Sequence, residues 1–244
     1  MNEQVSALFD TDPNSKQYGE WLAKIVPEII VPVPCINREI RVLQNDSGKG
    51  ELGSRTWEAG LTLAVFLAST RADPAWFDGK TQLLELGSGT GLAGIVAAAR
   101  GALITLTDLP NVLPLLRHNL QLNGLSSDPT AVAELTWGST ALTGWRADLL
   151  LGADLTYELE DIPLLMGVIS HFCSPRPEGS GASFILAYGE ERYVTGVFFE
   201  QLAAEGYSIS HLDAAGLLQA AYDSPRLREL VVSDWTIKIA QISR

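Results

Sequence analysis

The sequence predicts an α/β fold built on a mostly parallel β-sheet with helices on both faces. Three observations predict it. Strand-like and helix-like segments alternate along most of the 244 residues. The stretch LLELGSGTGLAGIVAAARGALITLTD, residues 83 to 108, reads as strand, glycine turn, helix, strand and terminal acid. The composition, 46% hydrophobic and 19% charged, is ordinary globular usage for one enzyme-sized domain.

Within the central unit, Leu83 to Leu86 is a short apolar run holding one acid, Glu85. Gly87, Ser88, Gly89, Thr90 and Gly91 then forbid regular structure and permit positive φ, so the backbone can approach a ligand closely. Leu92 to Arg100 has alanine-rich helical composition and stops before Gly101. ALITLTD alternates and ends on Asp108, 21 positions beyond Gly87. Two cofactor classes use such a cradle. GTGLAG, from Gly89 to Gly94, matches the dinucleotide fingerprint, with Asp108 spaced to hold a ribose hydroxyl. The acid two positions before the first glycine gives E-x-G-x-G-x-G, which resembles the first motif of seven-strand S-adenosylmethionine methyltransferases. That resemblance implies that Glu85 faces the amino-acid end of the cofactor and Asp108 accepts hydrogen bonds from its ribose. The plain alternative is a tight strand-to-helix turn without a ligand.

Around this unit, PEIIVPVPC carries Pro27, Pro32 and Pro34, which suits an extended arm. Residues 1–37 are therefore expected to be an amino-terminal arm, and 38–244 the domain. REIRVLQ, from Arg38 to Gln44, alternates like an edge strand, and a turn-rich stretch leads to a helix beginning near Thr56. PNVLPLLRHNLQLNG has helical spacing, with Asn123 and Gly124 as its stop. AVAELTW, ADLLLGAD, ASFILAY, YSISHL and TIKIAQIS read as strands, with helices centred on PLLMGVISHF and GVFFEQLAAEG. Ligands of open parallel sheets bind beyond the carboxyl ends of the strands, here Glu85 to Gly91, Asp108, Trp137 and Asp154. Trp137 ends its predicted strand and is placed to lie against an adenine ring. Trp57 opens the first helix and is placed to close the methionine end. Each also has a plain reading as a core aromatic.

A formal net charge of −12 argues against a nucleic-acid partner. It suits a lysine-bearing protein surface and plain solubility equally. LTLAVFLAS, the longest apolar run near the start, is too short for a bilayer and too far from Met1 for a signal peptide, so a cytoplasmic protein without membrane contact is expected. Cys35 and Cys173, and His118, His171 and His211, have no metal-like or redox-like spacing, and no metal site is expected. Nothing such as heptads or a repeat demands an assembly, so a monomer is expected.

RTWEAG, LLELGSGTGLAGI, LTDLPNVLPLLRHNLQLN, LTWG, LLLGADLTYE and ILAYGEER, in this order, resemble the methyltransferase-like family of cytosolic protein-lysine methyltransferases. Its members modify chaperones, the valosin-containing ATPase and translation elongation factors. The resemblance runs from Arg38 to the carboxyl end, and D-x-x-Y, Asp154 to Tyr157, is its most discriminating element. It implies a seven-strand, Rossmann-like class I methyltransferase sheet with an antiparallel C-terminal strand, S-adenosylmethionine as donor and S-adenosylhomocysteine as product. Trp57, Gly87, Gly89, Asp108, Trp137 and Ala153 fall on family cofactor positions, with Glu85, Ser88, Gly91 and Leu109 beside them. Asp154 and Tyr157 fall on the substrate-lysine side. An elongation factor is the first expected substrate and a chaperone the second; a nicotinamide oxidoreductase and a non-catalytic adaptor are the readings of other classes. The sequence departs from the family in having Leu155 after Asp154 and Glu190 and Glu191 after Tyr188, where the family often has a small or cysteine residue and a basic pair. Those departures bear on the substrate.

A lysine amine, with a pKa of about 10.4 in water, must be neutral when it attacks the methyl group. Asp154 is suited to orient the incoming ammonium rather than to act as final proton acceptor. If its segment is helical, Tyr157 shares its face and walls the channel through a cation–π contact. The plain reading of Asp154 is an N-cap of the following helix.

Overall fold

The computed structural model describes residues 28–44, 52–125, 131–139, 142, 144–175, 179, 181–214 and 236–244. Its elements are strands β1 (Glu28–Val33) and β2 (Arg38–Leu43), helix α1 (Glu58–Ala68), β3 (Gln82–Leu86), α2 (Leu92–Ala99), β4 (Leu103–Asp108) and α3 (Leu113–Leu122). Then follow β5 (Ala131–Glu134), β6 (Leu149–Ala153), α4 (Ile162–Cys173), β7 (Ser183–Gly189), α5 (Tyr193–Ala204), β8 (Ser208–Leu212) and β9 (Ile237–Ser243).

Seven strands form one sheet in the order β5-β4-β3-β6-β7-β9-β8. β5, β4, β3, β6 and β7 pair in parallel, whereas β9 runs antiparallel to both neighbours. The strand order reverses between β3 and β6, with β4 and β5 added on one side and β7 on the other, so the crevice at their carboxyl ends lies at the topological switch point. Strands buried on both faces read as near-continuous apolar runs, and LLLGA and, apart from the exposed Gln82 and the buried Glu85, QLLEL supply them. Period-2 alternation then sorts those side chains. Leu83, Leu149 and Leu151 join a core with α1, α2 and α3, while Leu84, Leu86 and Leu150 join another with α4 and α5.

REIRVLQ, read as an edge strand, forms a strand outside the seven-stranded sheet. It pairs instead with β1 in a separate two-stranded hairpin. β1 occupies part of the predicted arm, and its Ile29, Val31 and Val33 are buried in the core beside α1 and α2; residues 1–27 lie outside the described residues. Two asparagines, Asn119 in α3 and Asn123 at its carboxyl cap, hold the hairpin. Asn119 Oδ1 accepts from the Leu43 N–H at 2.8 Å, and its Nδ2 donates to the carbonyls of Leu43 at 3.0 Å and Thr90 at 2.9 Å. One turn later Asn123 accepts from the Arg41 N–H at 2.9 Å and donates to the Arg41 carbonyl at 2.6 Å. Four helical residues advance about 6 Å and two strand residues about 6.6 Å, so the two side chains match alternate backbone groups and stand in for a neighbouring strand. β5 stops at Glu134, shorter than AVAELTW, and leaves Trp137 beyond the strand.

Asn119 is fully buried and saturates three backbone groups. Asn119→Ala is expected to destabilise the fold by about 2–4 kcal/mol, read by denaturant unfolding, because it strands buried polar groups of β2 and the glycine turn. A loss under about 0.5 kcal/mol would show that the hairpin does not depend on this residue.

Candidate functional site

The turn after β3 is shaped by glycines at positive φ: Gly87 at 55°, Gly89 at 54° and Gly91 at 83°. At Gly89 a Cβ would stand 3.0 Å from the Gly53 carbonyl, so a side chain there would be both strained and crowded. Ser88 is clamped to β4, its N–H donating to the Thr107 carbonyl at 2.9 Å and its Oγ accepting from the Thr107 N–H at 3.1 Å. The Thr107 hydroxyl donates in turn to the Glu85 carbonyl at 2.6 Å.

Asp108 ends β4 only 9% exposed. Its Oδ2 accepts from the Gly89 N–H and its Oδ1 from the Leu109 N–H, both at 2.7 Å. Burial pushes its carboxyl above the usual range, against those two bonds. Each oxygen keeps a further lone pair for a hydroxyl. The 3-10 turn Leu52–Ser54 covers this end of the sheet, where a Cβ on Gly53 would lie 3.8 Å from Asp108 Oδ1. Thr56 and Thr90 bring their hydroxyls within 2.6 Å and tie the start of α1 to the glycine turn.

Glu85, expected from the resemblance to face the amino-acid end of a cofactor, is buried in β3 next to the glycine turn. Oε1 accepts from the Gly94 N–H in the first turn of α2 at 3.2 Å, and Oε2 is buried without a hydrogen-bond partner. A Cβ on Gly94 would collide with Oε2, which is why the helix has a glycine there. Burial pushes the Glu85 carboxyl up to about 8.

Trp57 stands extended before α1 and donates its indole N–H to the Leu52 carbonyl at 3.1 Å. Trp137, half-buried, has a ring carbon 3.8 Å from where a Cβ on Gly87 would stand, so it flanks the turn although it lies outside β5. Leu109 is largely exposed just past Asp108. The structure therefore gathers the glycine turn, Asp108, Trp57 and Trp137 around the carboxyl ends of β3 and β4.

Ala153 ends β6 and Asp154 follows at φ 60°, a left-handed conformation that aspartate tolerates better than most side chains. Its N–H donates to the Ala187 carbonyl at 3.0 Å, and its carboxylate accepts from Arg192 Nη2, 3.0 Å from Oδ1 and 3.1 Å from Oδ2. Asp154 thus caps no helix. Residues 155–158 are not helical either, because the left-handed turn at Asp154 and the extended Glu158 break the run. Tyr157 therefore does not owe its place to a helical face; it is 40% exposed, and burial and then the charges of Asp161, Asp108, Glu158 and Asp154 raise its hydroxyl above the ordinary value. Thr156 fixes the segment through a 2.6 Å contact between its hydroxyl and that of Thr195 on α5. Sequence reasoning missed Arg192, whose signal was an arginine just past the chemistry-bearing end of a buried strand.

The sequence profile of the lysine methyltransferase family matches residues 37–205. The chain belongs to that family. EEF1A lysine methyltransferase 3 of Mus musculus is 32% identical over 178 residues, 72% of each chain. Protein N-lysine methyltransferase METTL21A of Danio rerio is 37% identical over 142 residues, 57% of this chain and 63% of that one. Among solved structures, the SAM-dependent methyltransferase from Agrobacterium tumefaciens shares the fold with a TM-score of 0.52 at 15% identity, over 89% of this chain and 70% of that one.

The lysine methyltransferase takes its methyl group from S-adenosylmethionine, and the residues present fit that cofactor: Asp108 offers spare acceptor capacity for ribose hydroxyls beside a turn of bare backbone. The dinucleotide reading of GTGLAG is set aside by the family, and Gly94 serves Glu85 rather than a pyrophosphate.

A carboxyl whose folded-state value rises to about 8 binds its proton more tightly in the folded than in the unfolded chain. The contribution of Glu85 to stability is therefore present at low pH and lost as pH rises from the usual carboxylate range toward 8, at up to about 1.4 kcal/mol per pH unit. Glu85→Gln is expected to remove that slope, so the melting-temperature difference between variant and wild type should grow from pH 5 to pH 8. Parallel melting curves would place the carboxylate in a solvated setting.

Proposed function

We propose that this lysine methyltransferase acts on a translation elongation factor of the EEF1A kind, with Asp108 holding the cofactor ribose and Asp154 orienting the substrate ε-amine. The observation that carries the catalytic assignment is Asp154: a buried carboxylate at the carboxyl end of β6 that engages a side-chain cation. The donor supplies an electrophilic methyl on a sulfonium. Asp154 accepts hydrogen bonds from the ammonium and fixes its approach, and holding reactants in line is worth about 7–11 kcal/mol in well-oriented systems. Tyr157, partly exposed with its hydroxyl kept protonated among acids, walls the entry. Glu85 shapes the turn, and Ser88 locks it to β4 with Gly87, Gly89 and Gly91 presenting backbone; Trp57, Leu109, Trp137 and Ala153 line the remaining sides.

The substrate reading is supported by relatives named EEF1A lysine methyltransferase 3 in Mus musculus and in Xenopus tropicalis, the latter 29% identical over 171 residues. No helix among the described residues is long and apolar enough to cross a membrane. An elongation factor as substrate would place the enzyme in the cytosol.

Purified protein incubated with labelled S-adenosylmethionine and EEF1A from cells lacking the enzyme is expected to label that protein on lysine. Asp154→Ala should reduce transfer about a hundredfold or more while leaving S-adenosylhomocysteine affinity unchanged. Asp108→Asn should weaken S-adenosylhomocysteine binding at least tenfold, since a charged hydrogen bond is worth about 1.5–3 kcal/mol. Loss of cofactor binding in Asp154→Ala would overturn its assignment, and unlabelled EEF1A, with a different protein labelled in a lysate of the same cells, would overturn the substrate.

A further inference from the structure

An orienting carboxylate poses an electrostatic problem. An opposite charge beside an ammonium favours the charged form, so Asp154 by itself would raise the pKa of the substrate lysine and hold on to the proton that must leave before attack. The surroundings of Asp154 bear on this. From the first turn of α1, Glu58 faces it with a second negative charge, and Tyr157 faces it from its own loop. Arg192, from the connection between β7 and α5, faces it with a positive charge. Both side chains of the pair are well buried, at 14% exposed for Arg192 and 12% for Asp154, so solvent screens their charges little.

Arg192 Nη2 lies within hydrogen-bond distance of both Asp154 oxygens. A carboxylate presents about four lone-pair directions, so capacity remains for the N–H groups of an incoming amine while Arg192 stays in place.

We propose that Arg192 is a positioning residue that cancels the charge of Asp154, letting the carboxylate orient the substrate amine without retaining its proton. The inference rests on the reading of Asp154 as the residue that meets the substrate lysine. In the balanced step, the ε-ammonium releases one proton to water, its nitrogen forms a C–N bond to the methyl carbon, and the C–S bond breaks with its electron pair leaving on the thioether sulfur. Arg192 takes no part in bond making; it lowers the pH at which the first event occurs.

The sign follows directly. Without Arg192 the bound lysine keeps its proton to higher pH, so the rising limb of kcat against pH moves upward by about one unit, and below both limbs kcat falls about tenfold. KM for the protein substrate stays level or falls, because an uncompensated carboxylate holds the ammonium more tightly. The test uses Arg192→Gln and the charge-conserving Arg192→Lys in the full chain, with EEF1A as the probe and melting curves to confirm folding. Arg192→Gln should show the displaced kcat limb with KM unchanged or lower, and Arg192→Lys should restore the wild-type limb. In the free enzyme, the carboxyl carbon signal of Asp154 should titrate at higher pH in Arg192→Gln than in wild type. An unmoved limb, with kcat and KM worsened by a pH-independent factor in both variants, would overturn the proposal and leave Arg192 a packing residue. If wild-type enzyme methylates no EEF1A, the substrate reading fails, and the Asp154 titration decides the charge compensation alone: an unshifted signal in Arg192→Gln overturns it.

Discussion

The hydrogen bond from the Gly89 N–H to Asp108 is the constraint on which the site depends. It joins the ends of two parallel strands, β3 and β4, at the one place where the chain has left the sheet and has not yet entered a helix. Three further bonds among Ser88, Thr107 and Glu85 hold the same two ends in register. The turn must therefore bend back toward β4, which requires left-handed backbone at Gly89 and bare Cα atoms where Gly53 and the side chain of Glu85 approach. Asp108 is turned by these bonds into an acceptor with spare capacity, aimed at the crevice where the strand order reverses. The hairpin β1–β2 is coupled to the same point, since the Asn119 side chain that holds Leu43 also holds the Thr90 carbonyl of the turn.

Much of this was legible in the sequence because its cause is local. Apolar runs of strand length, an alanine-rich helix and the acid ending ALITLTD located β3, α2 and β4 to within a residue or so. What could not be read was long-range. REIRVLQ alternates whether it joins the main sheet or a hairpin, and only α3, more than seventy residues away, decides the matter through Asn119 and Asn123. Glu85 could face a ligand or a helix N–H with the same sequence pattern; the absence of a Cβ at Gly94 turns it inward. The spacing of Asp154 and Tyr157 suggested a helical face, yet a single left-handed residue abolishes that geometry. Arg192 is invisible to motif reading, because its partner lies 38 residues earlier and is brought to it by the β6–β7 pairing.

Three acids end up at the carboxyl ends of the central strands, and burial raises all three above ordinary carboxylate behaviour. They differ in what opposes that burial. Glu85 has only the Ser88 side chain and one long backbone bond against its burial, so it tends toward neutrality. Asp108 has two short backbone bonds, fixed in length and direction by the strand and the turn, which suits a cofactor whose hydroxyls are always the same. Asp154, among these three, is balanced by an opposite charge on a side chain. A guanidinium on a flexible stem can shift as a protein substrate docks, whereas a backbone amide cannot. On the proposed assignment, the acid held by rigid backbone bonds lies on the side of the invariant ligand and the one held by an adjustable side chain on the side of the variable ligand.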